Sequence, residues 1–288
     1  MSIKIDDLKD FNIEQTLECG QCFNFEKIAD LEYVVVFKNR LLHVKQEENS
    51  LFLINAADKD KELWEEYFDL KRDYGEIKEF LLEKEPRLKE SIEKNPGVRI
   101  LNQDFYEMLI SFIISQNKNI THIKQIIRTI SERYGEFLGE INDRKYYGFP
   151  SIPELGKLTE EHFLECKTGF RAPYLKCAVD SLNSGNLDND KLLNMSEEEV
   201  RASLLKIKGV GEKITNCVLL FGLGYRDAFP VDVWIKRIME DMYFGKETSI
   251  EAIQKFAKDK FGEYGGYAQQ YLFYYAREKK IGKKTSKN

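Results

Sequence analysis

A chain of 288 residues, 42% hydrophobic and 32% charged, has enough material for one large or two modest domains and a composition that excludes a disordered chain. Its formal charge of −5 excludes a protein that coats nucleic acid with a uniformly basic surface, because such binding depends on phosphate neutralisation. A local basic face is still compatible with that total: residues 201–240 hold seven Lys or Arg against four acids (Glu212, Asp227, Asp232, Glu240).

Residues 1–15 lack the apolar run of a signal peptide, and no stretch reaches bilayer length, so no membrane partner and a cytoplasmic location are expected. The first seventy or so residues read as a small β-rich unit. Residues 33–37 (YVVVF), 41–45 (LLHVK) and 51–54 (LFLI) are β-branched or aromatic runs, and the two tight connections between them imply an antiparallel meander. From Lys59 onward long stretches are nearly free of Pro and Gly, with apolar residues three or four apart, and everything after that point reads helical. Phe105, Leu109, Phe112 and Ile113 mark one buried face; Ile120, Ile123, Ile126, Ile127 and Ile130 mark another. Two stretches, 196–199 (SEEE) and 248–251 (TSIE), fit a capping box at a helix start. Glycine-containing breaks near 168–173, 207–211, 222–230 and 262–266 divide the remainder, and the last ten residues, with five Lys, read as a frayed, solvated tail. The fold class expected is therefore α+β: an N-terminal antiparallel sheet domain over 1–70, then a mostly helical body over 71–288 with a helix-hairpin-helix at about 196–223.

Five cysteines (Cys19, Cys22, Cys166, Cys177, Cys217) are odd in number and scattered, a pattern of reduced thiols. Cys19 and Cys22 have the spacing of half a zinc site, but no second pair of Cys or His accompanies them.

The segment 204–232, LLKIKGVGEKITNCVLLFGLGYRDAFPVD, carries the most chemistry. Gly209 and Gly211 allow a tight turn between two helical patterns, with backbone N–H groups beside a helix N-terminus that favours anions. Such a turn serves either as a phosphate-binding hairpin or as a plain connection. Lys213 falls in the first turn of the second helix, where the dipole disfavours an ammonium and Lys206 and Lys208 push the same way. It is either a solvated surface lysine or an amine prepared to attack carbon. Asp232, after Pro230 and Val231, lies at the N-cap of another helical run over 233–242, where backbone hydrogen bonds keep a carboxylate ionised. It is either a cap alone or a fixed charge for a cationic sugar transition state.

Taken together, these segments resemble the helix-hairpin-helix DNA glycosylases with a Gly/Pro-rich loop ending in Asp, and most closely the 8-oxoguanine DNA glycosylases. The resemblance rests on GQCF at 20–23, YFDL at 67–70, GVRIL at 97–101, SFIISQNKNI at 111–120, GFRA at 169–172, the hairpin with Lys213 and Cys217, PVD at 230–232 and YAQQYLF at 267–273. It implies an antiparallel N-terminal domain, a helical body with the active site in a cleft between two lobes, and a flipped-out oxidised purine in double-stranded DNA as substrate. It implies Lys213 as nucleophile at C1′, with a Schiff base and β-elimination, and Asp232 as the carboxylate partner. Gly20 would offer its carbonyl to the N7 hydrogen that only the oxidised base has, Gln269 would read the Watson–Crick edge, Phe273 and Cys217 would sandwich the ring, and Pro230 would join the base contacts. Asn117 and Arg171 would hold the orphaned opposite base and Phe170 would wedge into the stack.

The chain departs from that pattern at two places. His122 stands where eukaryotic members carry a second cytosine-reading arginine, and Trp234 replaces a histidine just after the catalytic Asp. A weaker preference for opposite cytosine is the expected consequence. Relatives acting on thymine glycol or mispaired adenine commonly carry a four-cysteine iron–sulfur loop, but no cysteine follows Cys217; alkylbase relatives generally lack the lysine at 213. A non-enzymatic module that holds DNA or protein through the hairpin is the alternative from another class. No cofactor is required by a lysine and a carboxylate, although the hairpin's backbone carbonyls have the chemistry to hold a cation beside a DNA phosphate. A monomer is expected.

Overall fold

The computed structural model describes residues 2–185, 187–188, 191–192 and 194–281; most of the lysine-rich tail lies outside the described residues. The chain opens with β1 (Ile3–Ile5) and α1 (Ile13–Glu18), then runs β2 (Phe25–Ala29), β3 (Glu32–Phe37), β4 (Arg40–Glu47) and β5 (Ser50–Leu53). These five strands form one antiparallel sheet in the order β1-β5-β4-β3-β2. The meander expected from the three central runs is present, and β1 and β2 extend it on either edge. At the β3–β4 connection Phe37 pairs with Arg40 across Lys38 and Asn39, both at positive φ, the twist that a two-residue hairpin needs. Period-two alternation buries Tyr33, Val35 and Phe37 on one face, with Leu42, Val44, Leu51 and Leu53 from the neighbouring strands. Against that face pack Ile13 and Leu17 of α1 and Trp64, Tyr67 and Phe68 around α2 (Lys61–Tyr67).

The helical body comprises α3 (Tyr74–Lys84), α4 (Lys89–Lys94), α5 (Phe105–Ile114), α6 (Ile120–Tyr134), α7 (Ile152–Gly156), α8 (Glu160–Glu165), α9 (Ala172–Asn183), α10 (Glu197–Leu205), α11 (Glu212–Gly222), α12 (Val233–Met239), α13 (Ile250–Phe261) and α14 (Gly265–Lys279). Helix α5 is its axis: every residue except Tyr106 is buried, and it packs along α9 and α11. Such all-round burial marks a helix enclosed by others rather than an amphipathic surface helix. No helix among the described residues is long and apolar enough to cross a membrane.

Sheet and helices are joined through two buried polar side chains. Gln21, fully buried, donates to the carbonyls of Thr16 (2.8 Å) and Arg99 (2.7 Å) and accepts from the Leu101 amide at 2.9 Å. Arg99 in turn donates to the main-chain carbonyls of Lys9, Asp10, Asp69 and Arg72. Each is a buried group whose loss would leave several partners unpaired, which explains the GQCF and GVRIL stretches as one structural unit.

Two expectations need correction. The chain is not helical throughout after Lys59: β6 (Phe137–Ile141) and β7 (Arg144–Tyr147) form a hairpin over Asn142 and Asp143, both at positive φ. Asn-Asp between aromatic runs is a hairpin signal, and Arg144 and Tyr146 tie the hairpin to Glu26 of β2. The second capping site is Ser249, which accepts from the Ala252 amide at 3.2 Å, because Thr248 is occupied with Glu240 and with the Lys246 carbonyl. The first capping box, Ser196 with Glu199, is formed.

Candidate active site

Helices α10 and α11 flank the hairpin. Its buried residues Ile207 and Val210 anchor it to the core, and the Val210 amide closes a turn on the Ile207 carbonyl at 3.0 Å. Gly209 adopts φ +84, and a Cβ there would lie 2.3 Å from the Tyr174 ring, so neither the backbone nor the space admits a side chain. Gly211 is the N-cap of α11 and has no side chain to satisfy the first amides, which leaves them to face outward.

In the first turn of α11, the amine of Lys213 reaches the Ser115 hydroxyl at 3.3 Å and lies 5.6 Å from the centre of the Phe112 ring. Ser115 donates its own proton to the Phe112 carbonyl at 2.7 Å, so its oxygen is free to accept from the amine. Cys217, one turn further along α11 and 3% exposed, has its thiol pushed up to about 11 by burial, opposed by the charge of Lys213 and reinforced by that of Asp232. It is a neutral wall at physiological pH.

Asp232 caps α12: one carboxylate oxygen accepts from the Trp234 amide at 2.9 Å and from the Ile235 amide at 2.8 Å. Those bonds and the Lys213 ammonium favour the charged form, but burial outweighs them and the carboxyl is held above its ordinary value. The expectation that capping alone would fix the ionised state omitted this desolvation.

From α14, Gln269 is 4% exposed and donates to the Pro230 carbonyl at 3.3 Å, so it is an inward-facing group rather than a solvated one. Phe273, one turn on, rests against Gly20: with φ +84 at that glycine, a Cβ would meet the Phe273 ring edge at 3.0 Å. Lys213, Cys217, Asp232, Pro230, Gln269, Phe273 and Gly20 are thereby drawn to one region from four separate stretches of chain.

A second group lies toward the exposed end of α6. Asn117 is exposed at φ +50 just before that helix, and the His122 amide donates to the capping Asn119 side chain at 2.9 Å while its residue remains exposed. Phe170 is 53% exposed and meets Tyr174, the ring beneath Gly209, edge-on at 6.2 Å. Arg171 behaves differently: it is 2% exposed, stacks on Phe170 at 4.2 Å, and donates to the carbonyls of Thr168 and Gln116. It is folded back beside Asn117 rather than presented to solvent. Sequence reasoning assigns no site role to Ser115, Phe112 or Arg277, and reads Phe112 only as part of a buried helix face; Ser115 and Phe112 lie within the SFIISQNKNI stretch, and Arg277 follows Gln269 and Phe273 at the helical spacing of four.

A lysine and a half-buried carboxylate at adjoining helix N-termini, behind a glycine hairpin, define a base-excision glycosylase architecture. Residues 110–262 match the HhH-GPD superfamily of base excision DNA repair proteins, and the chain belongs to that family. Residues 3–109 match the N-terminal domain of 8-oxoguanine DNA glycosylase. A probable N-glycosylase/DNA lyase of Methanothermobacter thermautotrophicus is 30% identical over 237 residues, 75% of each chain. Among solved structures, MBOgg1 in complex with a low-affinity DNA ligand is 43% identical with a TM-score of 0.93, covering 97% of this chain and 96% of that one. The 8-oxoguanine glycosylase/lyase of Clostridium acetobutylicum, in complex with double-stranded DNA containing cytosine opposite 8-oxoguanine, is 39% identical with a TM-score of 0.91, over 98% and 99% of the two chains.

Proposed function

We propose that this protein is a bifunctional DNA glycosylase and abasic-site lyase that excises 8-oxoguanine, or a closely related oxidised purine, from duplex DNA. The observation that carries the reading is the meeting of Lys213 and Cys217 of α11 with Asp232 at the start of α12, where the charge of Lys213 acts on both the thiol and the carboxyl. A nucleophilic amine must be neutral, and a half-buried carboxyl held above its ordinary value is a suitable acceptor for its proton. Asp232, ionised at the outset, takes the proton of the Lys213 ammonium and passes it to the departing base, so that the neutral amine attacks C1′ as the C1′–N9 bond breaks and the re-ionised carboxylate stabilises the oxocarbenium-like sugar. Opening of the C1′–O4′ bond turns the adduct into a Schiff base, which acidifies C2′, and loss of that proton expels the 3′ phosphate by β-elimination.

The target nucleotide leaves the duplex at a cost of a few kcal/mol. In the base pocket Gly20 accepts the N7 hydrogen, Gln269 reads the Watson–Crick edge beside Pro230, and Cys217 and Phe273 hold the two faces of the ring. Phe273 must withdraw from Gly20 to admit it. Asn117, Arg171 and His122 face the orphaned base, Phe170 fills the gap, and the amides around Gly209 and Gly211 receive a phosphate. No cofactor enters the bond-breaking steps. A cation held by hairpin carbonyls would serve only to bridge to phosphate; the Ile207 carbonyl, engaged once by Val210, has a second lone pair for it. We place the enzyme in the cytoplasm at the DNA, acting as a monomer.

The test is base release and strand cleavage from duplexes with a single 8-oxoguanine or none, by wild type and Lys213→Gln. Release and cleavage confined to the damaged duplex and the wild-type lysine support the reading. Binding without release would instead favour a non-enzymatic module.

A further inference from the structure

Gln269, Phe273 and Arg277 occupy three successive positions four apart on α14, so their side chains stack along one face of that helix. The first two are assigned to the base pocket above. The third reaches the same place: one guanidinium nitrogen, Nη1, lies 3.4 Å from where a Cβ on Gly20 would be, and the guanidinium carbon lies 5.8 Å from the Phe273 ring centre. Its other nitrogen, Nη2, donates to the Glu18 carbonyl, two residues before Gly20. Nη1 itself is buried and meets no hydrogen-bond partner among the described residues. A guanidinium N–H left unpaired inside a protein is costly, so a spare donor beside Gly20 calls for an acceptor.

Resting on the function proposed above, we propose that Arg277 is a base-reading residue whose Nη1 donates a hydrogen bond to the C8 carbonyl of the flipped purine. The chemistry of the lesion matches the pair of groups at Gly20. An 8-oxopurine presents a donor at N7 and, one atom away, an acceptor at O8. The Gly20 carbonyl takes the first, and the unpaired N–H beside that glycine takes the second once Phe273 withdraws. Guanine presents a C–H at position 8 and a lone pair at N7, so it would leave Nη1 unpaired and set two acceptors against each other at Gly20. The contact strengthens as the base departs: the electron pair of the C1′–N9 bond passes to N9 and delocalises onto O8, beside a fixed positive charge.

The experiment compares wild type, Arg277→Lys and Arg277→Met in single-turnover base release from duplexes containing 8-oxoguanine, and in strand cleavage of a duplex with a preformed abasic site. The second substrate has no base to read. Lysine retains a donor for the Glu18 carbonyl but cannot supply a second one in the same plane. The expected result is a loss of roughly ten- to hundred-fold in base release for both variants, the range for a charge-assisted hydrogen bond, with abasic-site cleavage within about two-fold of wild type. Full base release by Arg277→Lys, or a parallel fall of both activities in both variants, would overturn the proposal and reduce Arg277 to a brace for Glu18. A wild-type protein that releases no 8-oxoguanine would overturn the proposed function itself, and this inference with it.

Discussion

Phe273 rests on Gly20 so closely that a methyl group on the glycine would lie 3.0 Å from the ring edge. The contact joins the N-terminal GQCF turn to the C-terminal helix and closes the space in which the proposed function seats the base. Gly20 also holds φ +84, which costs an L residue about 1 kcal/mol or more. Gly20→Ala is therefore expected to lower 8-oxoguanine release by tenfold or more while cutting a preformed abasic site within a few-fold of wild type. Equal loss of both activities would indicate a folding defect, which a melting curve would reveal.

Asp232 is both a helix cap and the proposed electrostatic partner, and one substitution separates the two roles. Asn is as good an N-cap as Asp, so Asp232→Asn should leave stability within about 1 kcal/mol of wild type. Without the charge, base release should fall by roughly a hundredfold or more. In the wild type the carboxyl is held above its ordinary value by burial, so activity should decline as pH falls through that raised titration, with the acid limb above the range of an exposed carboxylate. A pH–rate profile measures the limb directly.

Glu107, buried in α5 beneath the sheet, predicts a pH effect on stability rather than activity. Burial, with Asp104 nearby, raises its carboxyl to about 8, while the Asn24 side chain donates to it at 3.4 Å. A folded state that holds its proton above the unfolded value is most stable at low pH and loses that advantage as pH rises from the ordinary carboxyl range to about 8. Glu107→Gln should flatten this dependence and raise stability at pH 8.5 relative to wild type by an amount on the order of a few kcal/mol. Melting temperatures of both proteins at pH 5 and pH 8.5 test it; an unchanged gap between the two pH values would be inconsistent.

In the proposed function, opposite-base selectivity depends on the residue at position 122. A guanidinium offers a bidentate contact that an imidazole does not, and each such contact is worth about 1 to 3 kcal/mol of discrimination. The wild type should therefore excise 8-oxoguanine at similar rates opposite all four bases, and His122→Arg should raise the preference for cytosine by roughly tenfold. A strong cytosine preference in the wild type would place that selectivity in Asn117 and Arg171 instead. Arg171 must first leave the carbonyls of Thr168 and Gln116 that now bury it.

Much of this was legible in the chain because it depends on local rules. The alternation of 33–37 fixes a half-buried strand, and the paired glycines at 209 and 211 mark the hairpin wherever the rest of the chain lies. The misses have tertiary causes. Strands β1 and β2 are short, and their identity comes from pairing with β5 and β3. The Asn142-Asp143 hairpin carries its own turn signal, but its strands are short and only partly buried and are held by Glu26 of β2. Within the site, misplaced charge and capping geometry leave Lys213 and Asp232 open to a surface lysine and a plain cap, and the resemblance gives them their roles. The desolvation of Asp232, the hydroxyl of Ser115 at the amine and the spare nitrogen of Arg277 follow only from which stretches of chain meet.

The most direct measurement is borohydride trapping on a duplex with one 8-oxoguanine opposite cytosine, beside an undamaged duplex and the Lys213→Gln variant. A covalent protein–DNA adduct formed only by wild type on the damaged duplex is the expected result, since it requires both lesion recognition and a Schiff base at Lys213. Absence of the adduct with wild type, or its persistence in Lys213→Gln, would contradict the assignment of Lys213 as the nucleophile.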